Sequence, residues 1–262
     1  MFKKILVAHD LTIEANHALR RGAQLARQYG ASLVIQHTSS GDASKPQATL
    51  QGLRADIGVP EAEILISSGR PSDALLKSIA ETGADLLVAG THHKGRPEAF
   101  NGSNLERLAR ETRIPLLMVS HAPAAPYSRA MVALDSSLCA CNALKTAYQL
   151  IPSDGQLQAV HIHDQSLQLP TDSQQEQLQI QRDLLQRLID DELPQNSGQG
   201  LEVTLDVRPG TLAGGLDEVI REQKPELLVL GQHSRSRLAE ALLGSLPAHY
   251  LRHPMCDVLL VK

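Results

Sequence analysis

Short apolar runs alternate with longer segments of helical period along the whole chain. In the first half the apolar runs predict strands near residues 3–8, 32–37, 62–67, 85–89 and 115–119. The clearest of the intervening segments predicts a helix from Thr12 to Tyr29, with Gly30 at its C-terminus. This alternation is typical of βαβ crossovers, so it predicts a parallel sheet with helices on both faces.

The second half of the chain repeats the pattern of the first half in the same order. The corresponding segments are residues 3–10 and 129–135, 33–37 and 157–161, 69–90 and 210–231, and 102–119 and 244–261. Such a repeat indicates duplication of one α/β unit. We therefore predict two tandem doubly wound α/β domains, each with a five-stranded parallel sheet. Prolines at positions 123 and 126 mark the linker, which gives domains at residues 1–122 and 128–262.

One segment of the second half is longer than its counterpart. The glutamine-rich stretch from Asp172 to Leu193 has apolar residues at helical spacing, and Pro194 follows it. We predict a helix that covers the sheet edge or the other half of the chain, in preference to a helix that binds a partner.

The composition excludes several classes of function. The 262 residues carry a formal net charge of -4, with 2% aromatic residues and no tryptophan, so the sequence does not predict binding to nucleic acid. No apolar run is long enough to span a membrane. The three cysteines are Cys139, Cys141 and Cys256, and their odd number without an export signal predicts a cytoplasmic protein without disulfides.

Ligands of open parallel sheets bind outside the carboxyl ends of the strands, so the residues that follow the strands are the candidates for chemistry. Gly231, Gly244 and Ser245 are small residues at the two ends of one loop, and they suit the close approach of a phosphate group. Asp135 could accept a hydrogen bond from a ribose hydroxyl or an adenine amine. Turn and cap chemistry explains the same residue types equally well at this stage.

Metal binding and designed catalysis are not predicted. His161 and His163 share one face of a strand, but Cys139 and Cys141 lack the usual spacing of zinc ligands. No nucleophile elbow and no Gly-Lys-Ser loop is present. Slow hydrolysis of ATP stays open as an alternative.

The order of these segments resembles that of the universal stress protein family, and the whole chain resembles a tandem of two such domains. The resemblance implies a Rossmann-like fold of the adenine nucleotide alpha hydrolase type. Family members that bind ATP carry glycine, two residues, glycine, nine residues, glycine and then serine or threonine. Gly231, Gly244 and Ser245 match this pattern, and Ser234 replaces its second glycine.

By this resemblance the second half binds ATP or a related nucleotide with its magnesium ion. The implied contacts are Ala133, Asp135, Ile162, Leu230, Gly231, Ser234, Gly244 and Ser245. The alternatives are a protein that acts through its surface without a nucleotide, and a weak ATPase.

The first half departs further from the family pattern. His93 stands where the second glycine belongs, Pro97 removes a backbone N–H group, and the loop is one residue shorter. We expect no ATP there, and the weaker candidates are Asp10, Gly90, Gly102 and Ser103. Members of the family pair through their final strands, so the resemblance implies an intramolecular pseudo-dimer or a homodimer.

Overall fold

The computed structural model describes residues 1–91, 102–164, 171–193, 200–232 and 243–262. The chain forms two compact units. Unit 1 contains Met1–Pro126 and Leu251–Val258, and unit 2 contains Tyr127–Tyr250 and Leu259–Lys262. The domain bounds predicted from the sequence remain predictions.

Unit 1 alternates strands and helices as the apolar pattern predicts. Its elements are β1 Lys4–Ala8, α1 Ile13–Tyr29, β2 Ser32–Thr38, α2 Ser44–Asp56, β3 Glu63–Ser67, α3 Pro71–Thr82, β4 Leu86–Gly90, α4 Gly102–Glu111 and β5 Leu116–Val119. The strand order is β3-β2-β1-β4-β5, and every adjacent pair within it is parallel. The strands predicted for this half are confirmed to within one residue at each end.

The second half of the chain repeats this arrangement. Its elements are β6 Arg129–Ala133, α5 Leu138–Leu150, β7 Gln156–Asp164, α6 Thr171–Glu192, β8 Val203–Gly210, α7 Leu212–Gln223, β9 Leu227–Gly231, α8 Ser245–Arg252 and β10 Asp257–Val261. The order β9-β6-β7-β8 is parallel throughout. β10 lies beside β9, where the backbone N–H group of Gln232 donates to the Val261 carbonyl at 2.7 Å.

Local sequence signals explain where the helices begin and end. Thr12 and Ser137 cap α1 and α5, and their hydroxyl oxygens accept hydrogen bonds from the Ala15 and Ala140 amides. Gly30 ends α1 in the left-handed conformation, with φ of 65°. The predicted helix after Thr12 is therefore confirmed.

The connections place the helices of unit 2 on two faces. α5 and α6 both follow crossovers in the direction β6-β7-β8, so right-handed crossovers put them on one face of the sheet. α7 returns from β8 to β9 and lies on the opposite face. The strand order reverses between β6 and β9, and their carboxyl ends form the switch point where ligands bind in such sheets.

The glutamine-rich segment is a helix, as predicted. α6 has 22 residues, against 13 in α2 of unit 1. Its buried residues include Leu185 and Ile189, and it packs against β8, the outermost strand of unit 2. Of the two expected positions, the sheet edge or the other half of the chain, the observed packing is on the outermost strand of the sheet. Within the described ranges, no helix is long and apolar enough to cross a membrane.

Candidate functional site

A cavity of about 430 Å³ opens at the carboxyl ends of the strands of unit 2. Every predicted contact of the second half that lies within the described residues lines it: Ala133, Asp135, Ile162, Leu230, Gly231, Gly244 and Ser245. Ser234 lies outside the described residues. The fold thus brings residues from β6, β7, β9 and α8 to one place.

Asp135 is held in position by the turn that begins α5. One of its carboxylate oxygens accepts a hydrogen bond from the Ser137 amide at 2.9 Å, and Ser137 in turn caps the helix. The second carboxylate oxygen has no partner among the described residues. Asp135 is half-buried and lines the cavity, so this oxygen is a ready acceptor for a ligand hydroxyl or amine.

Gly231 has a packing role that the sequence pattern did not reveal. A β-carbon at this position would lie 2.8 Å from the Ala140 nitrogen, which is too close for any side chain. Strand β9 therefore packs directly on the first turn of α5. This contact is a reason for glycine at this position that needs no ligand.

Gly244 and Ser245 close the other end of the loop that follows β9. The Gly244 amide donates to the Gln232 carbonyl at 3.2 Å, and a β-carbon at Gly244 would lie 3.3 Å from that same oxygen. Ser245 begins α8 and is exposed, and its hydroxyl makes no hydrogen bond within the described part of the chain. Its hydroxyl and the amino end of α8 face the cavity, an arrangement that favours an anion.

Several lining residues were not predicted from the sequence. They are Leu134, Ser137, Ala140, Val160, His161, His163, Asp164, Gln181, Leu212, Leu216, Gln232, Leu246 and Pro247. His163 and Asp164 belong to the part of β7 that extends beyond the equivalent strand β2, so strand length is a signal that could have found them. Gln181 comes from α6 and carries no local signal.

The histidine that ends the second strand of each unit has the same structural role. The His161 Nδ1 atom lies 2.8 Å from the Leu134 carbonyl, and the His37 Nδ1 atom lies 2.8 Å from the His9 carbonyl. Each imidazole ties neighbouring strands together at their ends. No cluster of three or more potential metal ligands occurs among the described residues.

The described residues at the equivalent edge of unit 1 line a much smaller cavity. It measures about 20 Å³ and is lined by Ala8, Asp10, Thr12, Ala15, Ala89, Gly90 and Thr91. A β-carbon at Gly90 would lie 2.5 Å from the Glu14 carbonyl oxygen, so this glycine too is required for packing. Asp10 accepts a hydrogen bond from the Thr12 amide, as Asp135 does from Ser137. Gly102 and Ser103 are the first residues of α4.

A buried histidine distinguishes the edge of unit 1 from that of unit 2. His9 is 2% exposed, and its Nδ1 atom accepts a hydrogen bond from the Leu11 amide at 3.1 Å. Burial lowers the pKa of His9 to about 4, although a hydrogen bond to Asn16 opposes the shift. Leu11 adopts φ of 67°, which is strained for leucine. Leu134 replaces His9 in unit 2.

The sequence of both halves matches one protein family. The family model described as the universal stress protein family matches residues 1–55, 44–120 and 126–262. The chain belongs to the universal stress protein family. These matches, the repeated sequence and the parallel sheets agree with two tandem domains of Rossmann-like fold.

Individual relatives agree with this assignment. A universal stress protein from Thermus aquaticus, named from its position 3′ of a QAH/OAS sulfhydrylase, is 31% identical over 136 residues, which are 45% of this chain and 99% of that protein. The solved universal stress protein of Archaeoglobus fulgidus DSM 4304 has a TM-score of 0.70 at 16% identity, covering 99% of this chain and 98% of its own. A putative universal stress protein of Pseudomonas aeruginosa UCBPP-PA14 has a TM-score of 0.72 at 18% identity. The match covers 100% of this chain and 93% of that protein's chain.

Proposed function

We propose that this universal stress protein binds ATP, or a related adenine nucleotide with its magnesium ion, in unit 2 and not in unit 1. The protein would then act as a regulatory module whose state depends on nucleotide. The observation that carries the proposal is the difference between the two carboxyl edges, about 430 Å³ in unit 2 against about 20 Å³ in unit 1.

The chemistry of the larger cavity suits a nucleotide. Apolar side chains such as Ile162 and Leu230 offer a surface for a base, and the unpaired oxygen of Asp135 suits a ribose hydroxyl or an amine. The Ser245 hydroxyl and the amino end of α8 suit the phosphates. Magnesium commonly arrives with the phosphates and needs few protein ligands.

The remaining expectations belong to the same proposal. Ser234 would complete the phosphate loop in place of glycine. The final strands, which end at Val119 and Val261, would pair within one chain or between two. A cytoplasmic location would supply the nucleotide.

Calorimetric titration with Mg-ATP tests the proposal on the intact protein. We expect one binding event in the wild type, and we expect Asp135→Asn to weaken it by about tenfold, the effect of losing roughly 1.4 kcal/mol. Gly244→Val should weaken it as much or more, because its side chain would crowd the Gln232 carbonyl at the loop.

Asp10→Asn is the matched control, because Asp10 and Asp135 accept the same kind of hydrogen bond after the first strand of their units. It should leave ATP affinity unchanged. Absence of binding in the wild type would reject the proposal. Equal losses of ATP affinity in Asp10→Asn and Asp135→Asn would reject its assignment to unit 2. We expect release of phosphate from labelled ATP to stay at background.

A further inference from the structure

We propose that Gln181 reads the base of the nucleotide in unit 2 and favours adenine over guanine. This inference rests on the proposed function, since it names the residue that gives the same cavity its selectivity. It is supported by the position of Gln181 at the cavity and by the lack of hydrogen bonds to its side-chain amide. The third support is the arrangement of donors and acceptors on the edges of adenine and guanine.

Gln181 lies on the face of β7 that α6 covers, opposite the face that α7 covers. Ile162 points toward α7, because its side chain would contact a β-carbon on Gly215 at 3.1 Å. Side chains alternate along a strand, so His161 and His163 point to the opposite face, which α5 and α6 cover. Gln181 lies on α6 and lines the cavity together with these histidines.

The backbone at Gln181 is fixed by the packing of α6. Leu185, one turn further along the helix, is 3% exposed, and Ile189 in the next turn is 4% exposed. Residues four positions apart lie on the same helical face, so Gln181 belongs to the buried stripe of α6. It is half-buried, and its side chain ends at the cavity.

The Gln181 amide is available for a ligand. Two other glutamines of α6 are exposed and bond to carboxylates one turn away: Gln179 donates to Asp183 at 2.7 Å, and Gln186 donates to Asp190 at 3.0 Å. The side chain of Gln181 makes no hydrogen bond to any part of the chain that the structure describes. Its amide oxygen and nitrogen are not among the buried unpaired atoms of the described residues, so a ligand in the cavity can reach them.

A carboxamide complements adenine in two places at once. Its oxygen accepts from the N6 amino group while its nitrogen donates to N7, and this bidentate pair is the usual contact of glutamine with adenine. Guanine presents acceptors at both O6 and N7 on the same edge, so the amide oxygen would face the O6 oxygen. The expected discrimination is about 5-fold to 150-fold, the range for one bidentate base contact.

The test compares adenine and guanine ligands by calorimetry on the intact protein. Wild type should bind Mg-ATP more tightly than Mg-GTP by the factor given above. Gln181→Ala should bring the two affinities within about twofold of each other, mainly by weakening ATP. Gln181→Glu has nearly the same shape and can still accept from N6 but cannot donate to N7, so it should weaken the binding of ATP by the loss of one of the two hydrogen bonds. Adenosine and guanosine should show the same changes, because they isolate the base from the phosphate loop.

Gln186→Ala is the matched control, since it removes an exposed glutamine from the same helix. It should keep the wild-type ratio of affinities, and the circular dichroism of every variant should match the wild type. A Gln181→Ala protein that binds ATP and GTP in the wild-type ratio overturns the inference and leaves the proposed function standing. Equal weakening of ATP and GTP also overturns it, because guanine would then pair equally well through another edge. A wild type that binds no nucleotide overturns both proposals.

Discussion

Gly231 and Ala140 bring strand β9 and helix α5 into direct backbone contact, with only 2.8 Å between the Ala140 nitrogen and the place where a β-carbon would lie. We therefore predict that Gly231→Ala lowers the free energy of unfolding by about 1–3 kcal/mol, the usual cost of overpacking a closely packed site. Gly90→Ala should have a similar effect, since its β-carbon would meet the Glu14 carbonyl oxygen. Urea denaturation followed by circular dichroism measures both.

Gly52→Ala is the control for these two variants. Gly52 lies within α2, and a β-carbon there would have nothing within 4 Å. Alanine should stabilise this helix by about 0.5–1 kcal/mol. The packing explanation is rejected if alanine at position 231 or 90 is as well tolerated as alanine at position 52.

Stability should depend on the protonation of His9. Its pKa of about 4 in the folded state lies below the value of 6.5 in the unfolded chain, because burial disfavours the charged form. The unfolded state therefore binds more protons between these values, and stability falls as the pH drops from 6.5 to 4. At pH 5 the loss from this group should be about 2 kcal/mol, and above pH 6.5 it should vanish.

The measurement compares wild type with His9→Leu, which copies Leu134 from unit 2. The free energy of unfolding at pH 7.5 minus that at pH 5 should be smaller in the variant by about 2 kcal/mol. Loss of the hydrogen bond from the Leu11 amide affects both pH values equally, so it does not enter this difference. An identical difference in the two proteins would contradict the prediction.

Arg21 and Asp257 form a buried ion pair within unit 1. Their side chains are 7% and 5% exposed, and Arg21 also donates to the Ala125 carbonyl at 2.8 Å. Asp257→Ala should lower the free energy of unfolding by about 3–5 kcal/mol, because it leaves a buried guanidinium without its carboxylate. Thermal and urea denaturation measure the loss.

The exposed pair of Lys77 and Glu81 supplies the comparison, with side chains 73% and 62% exposed. Glu81→Ala should change the free energy of unfolding by less than about 0.5 kcal/mol, since solvent screens this pair. The double variant Arg21→Met with Asp257→Ala should recover part of the loss, because no buried charge remains unpaired. A double variant that is less stable than Asp257→Ala argues against this account.

The sequence predicts the fold well because the fold depends on local patterns. Apolar runs identify the strands, and caps such as Thr12 and Gly30 identify the ends of α1. Gly231 was interpreted as a phosphate contact, yet Gly90 keeps the same residue at the edge with the much smaller cavity, so glycine alone does not distinguish binding from packing. Both glycines pack closely against the first turn of a helix, α5 for Gly231 and α1 for Gly90.

Other parts of the site depend on tertiary structure. Helical spacing puts Gln181 on the face of Leu185 and Ile189, but its position at the cavity follows only from the packing of α6 on β8. The small cavity of unit 1 is likewise lined by residues of β1, α1 and β4, which are distant in sequence. Residue spacing alone does not give the volume that these elements leave between them.

The unequal carboxyl edges have a consequence for the proposed response to nucleotide concentration. Among the described residues, the space is about 430 Å³ at one edge and about 20 Å³ at the other, so the proposed function places one nucleotide in each chain. Under that proposal the saturation of a chain is hyperbolic, with half-occupancy at a single dissociation constant. A steeper response to nucleotide concentration would then indicate coupling between chains.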